Sequence, residues 1–206
     1  MLTPKGYCQI YQIENYLLTE IASDFEGQVS EWIAQMEQYI ERETKRIFIA
    51  GTTASVKKYE IEDVSSITIG EYRKTNRELY IDDCVEIIEL TINGDVIDPT
   101  DYLTYPMNDL PITRIRLTAE SGLEFTEGEQ NISVKAKWGY SIACPSDISF
   151  ACMIFTVGVI NYSGDMEGEI KSESIGSYTV SFKDDKDWQD FERAKEILQN
   201  YKALRI

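Results

Sequence analysis

Residues 48–142 alternate apolar and polar side chains between turn signals, while the stretches on either side repeat apolar residues at helical spacing. A chain that starts helical, builds a block of strands and returns to helix has few ways to bury both kinds of surface. The simplest is one helical domain with a β module inserted in it. The expected class is α+β: a four-helix frame from residues 1–47 and 143–206, with a small β barrel or sandwich from residues 48–142 inserted between the second and third helices.

The helical expectation rests on particular residues. Ile10, Ile13, Leu17 and Ile21 predict a short helix over residues 9–20. Ser23-Asp24 offers a cap for a second helix over 25–45, where Val29, Trp32, Ile33, Met36 and Ile40 share a stripe. Arg42, Lys45 and Arg46 at its end suit the helix dipole. Pro145-Ser146-Asp147 restarts helix, and residues 148–160 are apolar nearly all round, which predicts a central or subunit-buried helix too short to cross a bilayer. Residues 165–174 are polar and glycine-bearing and read as a mobile loop, and 175–182 as a lone strand. Residues 184–187 cap a last helix that carries Trp188, Phe191, Ala194, Leu198 and Tyr201 on one side.

Within the β block the strand candidates are 55–61, 79–81, 85–92, 112–118 and 132–138, and Asn93-Gly94 is a type I′ hairpin signal leading to Val96-Ile97. Tyr102, Tyr105 and Tyr140 are candidates for a stacking platform, although no basic residues are interleaved with them.

Composition removes whole classes of chemistry. The chain has no histidine, so Ser–His–Asp and Cys–His catalysis and His-ligated metals are impossible within it. Cys8, Cys84, Cys144 and Cys152 form no CxxC pair and read as small buried hydrophobes in a reducing compartment. Asp82-Asp83 and Asp184-Asp185 are adjacent carboxylates. Side chains of adjacent strand residues point to opposite faces, and the second pair sits where a helix cap belongs, so neither makes a catalytic dyad. Asp165, Glu167 and Glu169, like Asp95, Asp98 and Asp101, read as solvated acidic loops rather than calcium sites. No phosphate-binding loop, zinc spacing or nucleophile motif is present. The expectation is a non-enzyme without cofactor or metal. A formal charge of −16 repels phosphate backbones and argues against a protein that grips nucleic acid, but not against one lining a passage for DNA. The first residues lack an apolar signal core, so a protein cytosolic when made is expected, with no membrane.

Four stretches carry a family resemblance. They are residues 36–48, a helix ending in Thr44-Lys45-Arg46-Ile47-Phe48, and 134–151, where a strand ends in Trp138-Gly139-Tyr140 before Pro145-x-Asp147-Ile148. The others are 175–182 before the last helix and 102–111, a Tyr…Pro-x-Asn…Pro run. In this order they resemble the head–tail connector (adaptor, head-completion) proteins of tailed bacteriophages and prophages. The resemblance implies a structural, ring-forming homo-oligomer, dodecameric and possible as a monomer before assembly. It implies docking under the portal protein, an extended DNA exit channel without specific DNA binding, and a next connector (stopper) component as partner. It places assembly in the host cytoplasm and the product in the virion neck. Trp188, Tyr201, Leu204 and Ile206 are the expected portal contacts, and Tyr178, Val180 and Phe182 the expected subunit-pairing residues. Many members are little more than the helical core, so the β block is an addition. The rival reading is a carbohydrate- or peptide-binding module on a helical platform.

Overall fold

A computed structural model describes residues 2–61, 76–163, 171–182 and 185–203. The chain divides into two compact units, one formed by Met1–Ile49 with Ala143–Ile206 and the other by Ala50–Ile142.

The first unit holds α1 (Ile10–Leu17), α2 (Glu26–Thr44), α3 (Ser146–Ser163), the strands β7 (Lys171–Ile175) and β8 (Tyr178–Phe182), and α4 (Asp185–Asn200). α2 buries Val29, Ile33, Met36 and Ile40, the stripe its periodicity demands. Its first turn is capped at Phe25 without a side-chain bond, not by Ser23 or Asp24. α3 packs on α1, α2, α4 and β8, and so is covered on all sides. That explains its nearly uniform apolarity: Ile148, Ala151, Cys152, Ile154, Phe155, Val157 and Val159 are all buried. The helix is 18 residues long, and by length and composition it could cross a membrane, unlike the shorter helix the sequence suggests. Its burial against its own unit makes it a core helix.

The expected lone strand is half of a hairpin. β7 pairs antiparallel with β8 from Lys171↔Phe182 to Ile175↔Tyr178. β7 escapes a hydrophobic-pattern reading because Lys171-Ser172-Glu173-Ser174 offers no apolar residue. Its place is fixed by the partner strand and by Lys195 of α4, whose Nζ lies 2.9 Å from Glu173 Oε2. β8 packs on α3 at Gly158, where an added Cβ would lie 2.8 Å from Val180 Cβ and 2.7 Å from Phe182 Cζ. The ring could tilt away, but Val180 Cβ is fixed to the strand backbone. Gly158→Ala is therefore expected to destabilise this unit by about 1–3 kcal/mol through overpacking. A urea titration followed by circular dichroism checks it, and an unchanged midpoint would refute the close approach.

The second unit is an antiparallel sheet of β1 (Ser55–Tyr59), β2 (Glu78–Ile92), β3 (Asp95–Val96), β4 (Tyr102–Tyr105), β5 (Ile112–Leu117) and β6 (Ile132–Trp138). The strand order is β1-β6-β2-β5-β4, with β3 paired to β2. Among the described residues β1 and β4 remain edges, so the expected barrel or sandwich is instead an open six-stranded sheet. The cause is the length of β2. Its first half pairs with β5 and its second with β6, and Cys84 is opposite both Ile112 and Trp138. The sequence divides this strand at Asp82-Asp83 because the register shifts there and again after Cys84 and Ile87. Such bulges break the alternation without ending the strand. Asn93 and Gly94 both have positive φ (54° and 93°) and form the turn to β3, as a type I′ hairpin requires. One face of the sheet buries Leu79, Ile81, Leu90, Ile115, Val134 and Ala136 with Phe125. Burial of each large aliphatic contributes about 1.5–3 kcal/mol.

Candidate functional site

Cys84, Cys144 and Cys152 are poor nucleophiles. All four cysteines are free. Burial, and then the charge of Asp83, pushes the Cys84 thiol up to about 12. Burial, and then Glu37, pushes Cys144 to about 12. Cys152 is raised by burial and by Cys8 beside it. At pH 8 a thiol at about 12 is roughly one part in ten thousand thiolate, against about a quarter for a free cysteine. Alkylation of Cys84 and Cys144 by iodoacetamide at pH 8 is expected to be at least about a hundred-fold slower in the native chain than in urea. Mass spectrometry of the labelled peptides reads this directly, and equal rates would contradict it.

Asp82 and Asp98 are tied into local structure. Asp82 accepts from Lys57 Nζ at 2.8 Å and from the Tyr59 hydroxyl at 3.3 Å. Asp98 accepts from the Thr100 amide at 2.9 Å and hydroxyl at 2.7 Å, capping the short 3-10 turn Pro99–Asp101, and these bonds hold its carboxyl below the usual range. Among the described residues no three His, Cys, Asp or Glu side chains are grouped to hold a metal. Asp165, Glu167, Glu169 and Asp184 lie outside the described residues.

The three tyrosines suggested as a stacking platform do not share a face. Tyr102 is opposite Leu117 and packs on the sheet's core, whereas Tyr105, three residues on, is opposite Arg114 on the other face. There the Arg114 guanidinium sits 4.5 Å from the Tyr105 ring and 5.8 Å from that of Tyr80, with Glu78 Oε2 at 3.3 Å.

The expected contact residues fall in separate places. Trp188 is half-buried near the start of α4, edge-on to Phe182 (6.1 Å) and tilted against Phe191 (5.5 Å). Tyr201 lies just beyond the end of α4, so the two are about 20 Å apart along the axis and form no single patch. Tyr201 packs edge-on to Phe48 at 5.4 Å, and its carbonyl accepts from Arg46 Nε at 2.8 Å. The Ala203 amide then donates to the Thr44 carbonyl at 2.8 Å, which ties the chain beyond α4 to the end of α2. Leu204 and Ile206 lie outside the described residues. Val180 and Phe182 are buried in their own unit, and Tyr178 pairs through its backbone with Ile175. What the hairpin offers outward is backbone: among the described residues neither β7 nor β8 has a second strand partner.

Sequence reasoning missed Glu37. It is only 1% exposed. Its Oε2 accepts from the Lys5 amide (2.6 Å), and its Oε1 from the amides of Gly6 (2.9 Å) and Tyr7 (2.7 Å). Tyr7 in turn donates to Glu41 Oε1, accepts from the Phe48 amide at 2.8 Å and stacks edge-on with Phe48 at 5.8 Å. The first residues of the chain are thereby tied to α2. The available signal was position: Glu37 sits four residues after Ile33 and three before Ile40, on the apolar stripe.

No family model matches the sequence, and no curated protein matches it. The fold is similar to that of a chain in the solved structure of the neck of an empty GTA particle computed with C6 symmetry. The superposition has a TM-score of 0.57 and covers 100% of this chain and 94% of that one, at 10% sequence identity. At that identity the likeness is one of fold.

Proposed function

We propose that the chain is a structural subunit of a phage-like head–tail neck. The carrying observation is a fold shared, over the full length of the chain, with a component of a particle neck. The four sequence stretches described above point the same way from independent information. The C6 symmetry of that neck supports a ring of six subunits or a multiple of six, the dodecamer included. The finer reading is an adaptor that docks beneath the portal, extends the DNA exit channel and receives the next connector component. A surface of net charge −16 suits a channel wall along which DNA must slide.

Two contacts follow from this reading. The last residues, anchored at Thr44 and Arg46, present Leu204 and Ile206 to the portal, with Tyr201 at the root of the tail. Trp188, set apart from them, adds to that docking only through a second surface. Subunit pairing runs through the exposed backbone edges of the β7–β8 hairpin, while Val180 and Phe182 hold that hairpin on α3. Removal of residues 202–206 is expected to abolish co-sedimentation with the portal at least about ten-fold below the intact chain's level, as loss of a small apolar anchor does. Unchanged binding would reject the tail as the anchor. The broader reading is tested by reconstruction of particles that contain the chain: a ring at the head–tail junction is expected, and density anywhere else overturns it.

A further inference from the structure

The two ends of α2 carry opposite charge, and each carries an uncovered apolar residue. Before and at its N-terminal end lie Glu20, Asp24 and Glu26, all exposed, with Leu18 89% and Phe25 41% exposed. At its C-terminal end lie Arg42 and Lys45, joined by Lys202 of the tail, with Ile47 46% exposed. That end also holds a cavity of about 520 Å³ lined by Arg42, Glu43, Thr44, Lys45, Lys202 and Ala203. The helix has 19 residues, so the two ends are about 28 Å apart. A helix dipole accounts for the signs of Glu26 and Arg42. It does not account for Glu20 and Asp24 outside the helix, for Lys202 on another segment, or for the apolar residues.

Leu18 is the telling residue. It caps α1 in the left-handed conformation (φ 54°, ψ 36°), where asparagine or glycine is favoured, and its side chain stands in solvent. Both its backbone and its exposure are unfavourable to the isolated chain. Phe25, seven residues on at the start of α2, is held edge-on by Trp32 at 5.4 Å and stays 41% exposed. Both residues stand at the acidic end of the helix, and its other end offers an open pocket lined by Arg42, Lys45 and Lys202 with Glu43 among them.

We infer that the acidic Leu18–Phe25 end of one copy docks into the basic Arg42–Lys45–Lys202 end of the next, a head-to-tail contact between copies of this chain. The inference rests on the ring reading above and names the faces that close the ring. Such a contact is heterologous, as ring closure requires. It also answers a problem of charge: copies bearing −16 repel one another, and opposed ends of opposite sign let them meet.

The test is a charge exchange on the full chain, read by sedimentation velocity at about 0.15 M salt, where a Debye length of about 8 Å leaves only facing charges to act. Variant one is Arg42→Glu with Lys45→Glu, and variant two is Asp24→Lys with Glu26→Lys. Each alone faces like with like and is expected to associate at least about ten-fold more weakly than the parent, while an equimolar mixture recovers association to within about three-fold. Leu18→Asn is expected to hold or raise the thermal midpoint while weakening association about five-fold, which separates docking from folding. Variants that associate as well as the parent overturn the contact and leave the ring reading standing. A parent and a mixture that both stay monomeric up to the solubility limit overturn it as well. The ring reading fails separately, if particles containing the chain show no ring at the neck.

Discussion

Gly139→Ala is expected to unfold the sheet unit or cost it about 4 kcal/mol or more. Gly139 has φ 144°, a conformation that side chains with a Cβ rarely adopt, and a Cβ there would stand 2.4 Å from Ala50 Cα and 2.7 Å from Ala50 N. The obstacle is main chain, so no rotamer change relieves it. The crossing is also held by hydrogen bonds on both sides. The Gly139 amide donates to the Asp83 carbonyl at 2.8 Å, Gly51 N–H to the Trp138 carbonyl at 3.1 Å, and Ala50 N–H to the Ser141 carbonyl at 2.8 Å. Moving either strand breaks this set and drags Trp138, whose Nε1 donates to the Ser55 carbonyl at 2.8 Å and whose ring lies 4.5 Å from Lys57 Nζ. Trp138 is the one tryptophan in residues 50–142, so its fluorescence in a Trp32→Phe, Trp188→Phe background reports this unit alone. An unfolding free energy in urea within about 0.5 kcal/mol of the parent's would contradict the geometry. The double variant Gly139→Ala with Ala50→Gly should recover nothing, because the clash is with Ala50 backbone; a rescue would show that the crossing is looser than drawn.

Gly139 also marks where sequence and structure agree for a physical reason. Trp138-Gly139-Tyr140 is legible as a motif, and its glycine is required by a main-chain crossing that no sequence pattern reveals. Elements with a local cause were read well. β6 alternates cleanly because one of its faces is buried, α2 and α4 show stripes because each buries one side, and Asn93-Gly94 makes its turn from its own backbone preferences. Elements whose cause lies elsewhere were missed. β7 is polar and exists because β8 and Lys195 hold it. β4 is only four residues long, Tyr102–Tyr105, too short to show an alternation of its own, and is set by its pairing with β5. β2 reads as two pieces because bulges carry Asp82 and Asp83 inside it. Within the chain, Val180 and Phe182 meet α3 at Gly158, a contact that the alternation of their strand does not by itself reveal. Leu18 was invisible as a surface feature because its i, i+4 and i, i+3 relatives are ordinary helix positions, and only its backbone angle and exposure single it out.

Glu37→Ala is expected to cost the helical unit about 2–4 kcal/mol, because it leaves one buried and two part-buried amides without their acceptor. The carboxylate takes three successive amides, of Lys5, Gly6 and Tyr7, on two oxygens. A run of N–H groups converging in this way is an anion-binding nest, here filled by the chain's own side chain. Without the carboxylate the amide of Tyr7 is left buried with no acceptor, and those of Lys5 and Gly6 are partly so, at about 1–3 kcal/mol for a fully buried group. Glu37→Gln should do less damage, about 1–3 kcal/mol, because its carbonyl oxygen still accepts while its amide nitrogen now faces a donor. The loss should be local before it is global. Hydrogen exchange at residues 5–7 is expected to accelerate in both variants, and with it the Tyr7 hydroxyl should loosen from Glu41 and from the Phe48 amide, which Tyr7 now holds at 2.8 Å. Because Phe48 also carries the Tyr201 ring, the disturbance reaches the root of the C-terminal tail. Glu37→Ala should therefore weaken portal docking without touching any residue of the docking surface, and Lys5→Ala, which keeps the backbone amide on Glu37, should leave docking unchanged. If Glu37→Ala keeps the parent's urea midpoint and its protection at residues 5–7, then the first residues of the chain are held by something other than this carboxylate.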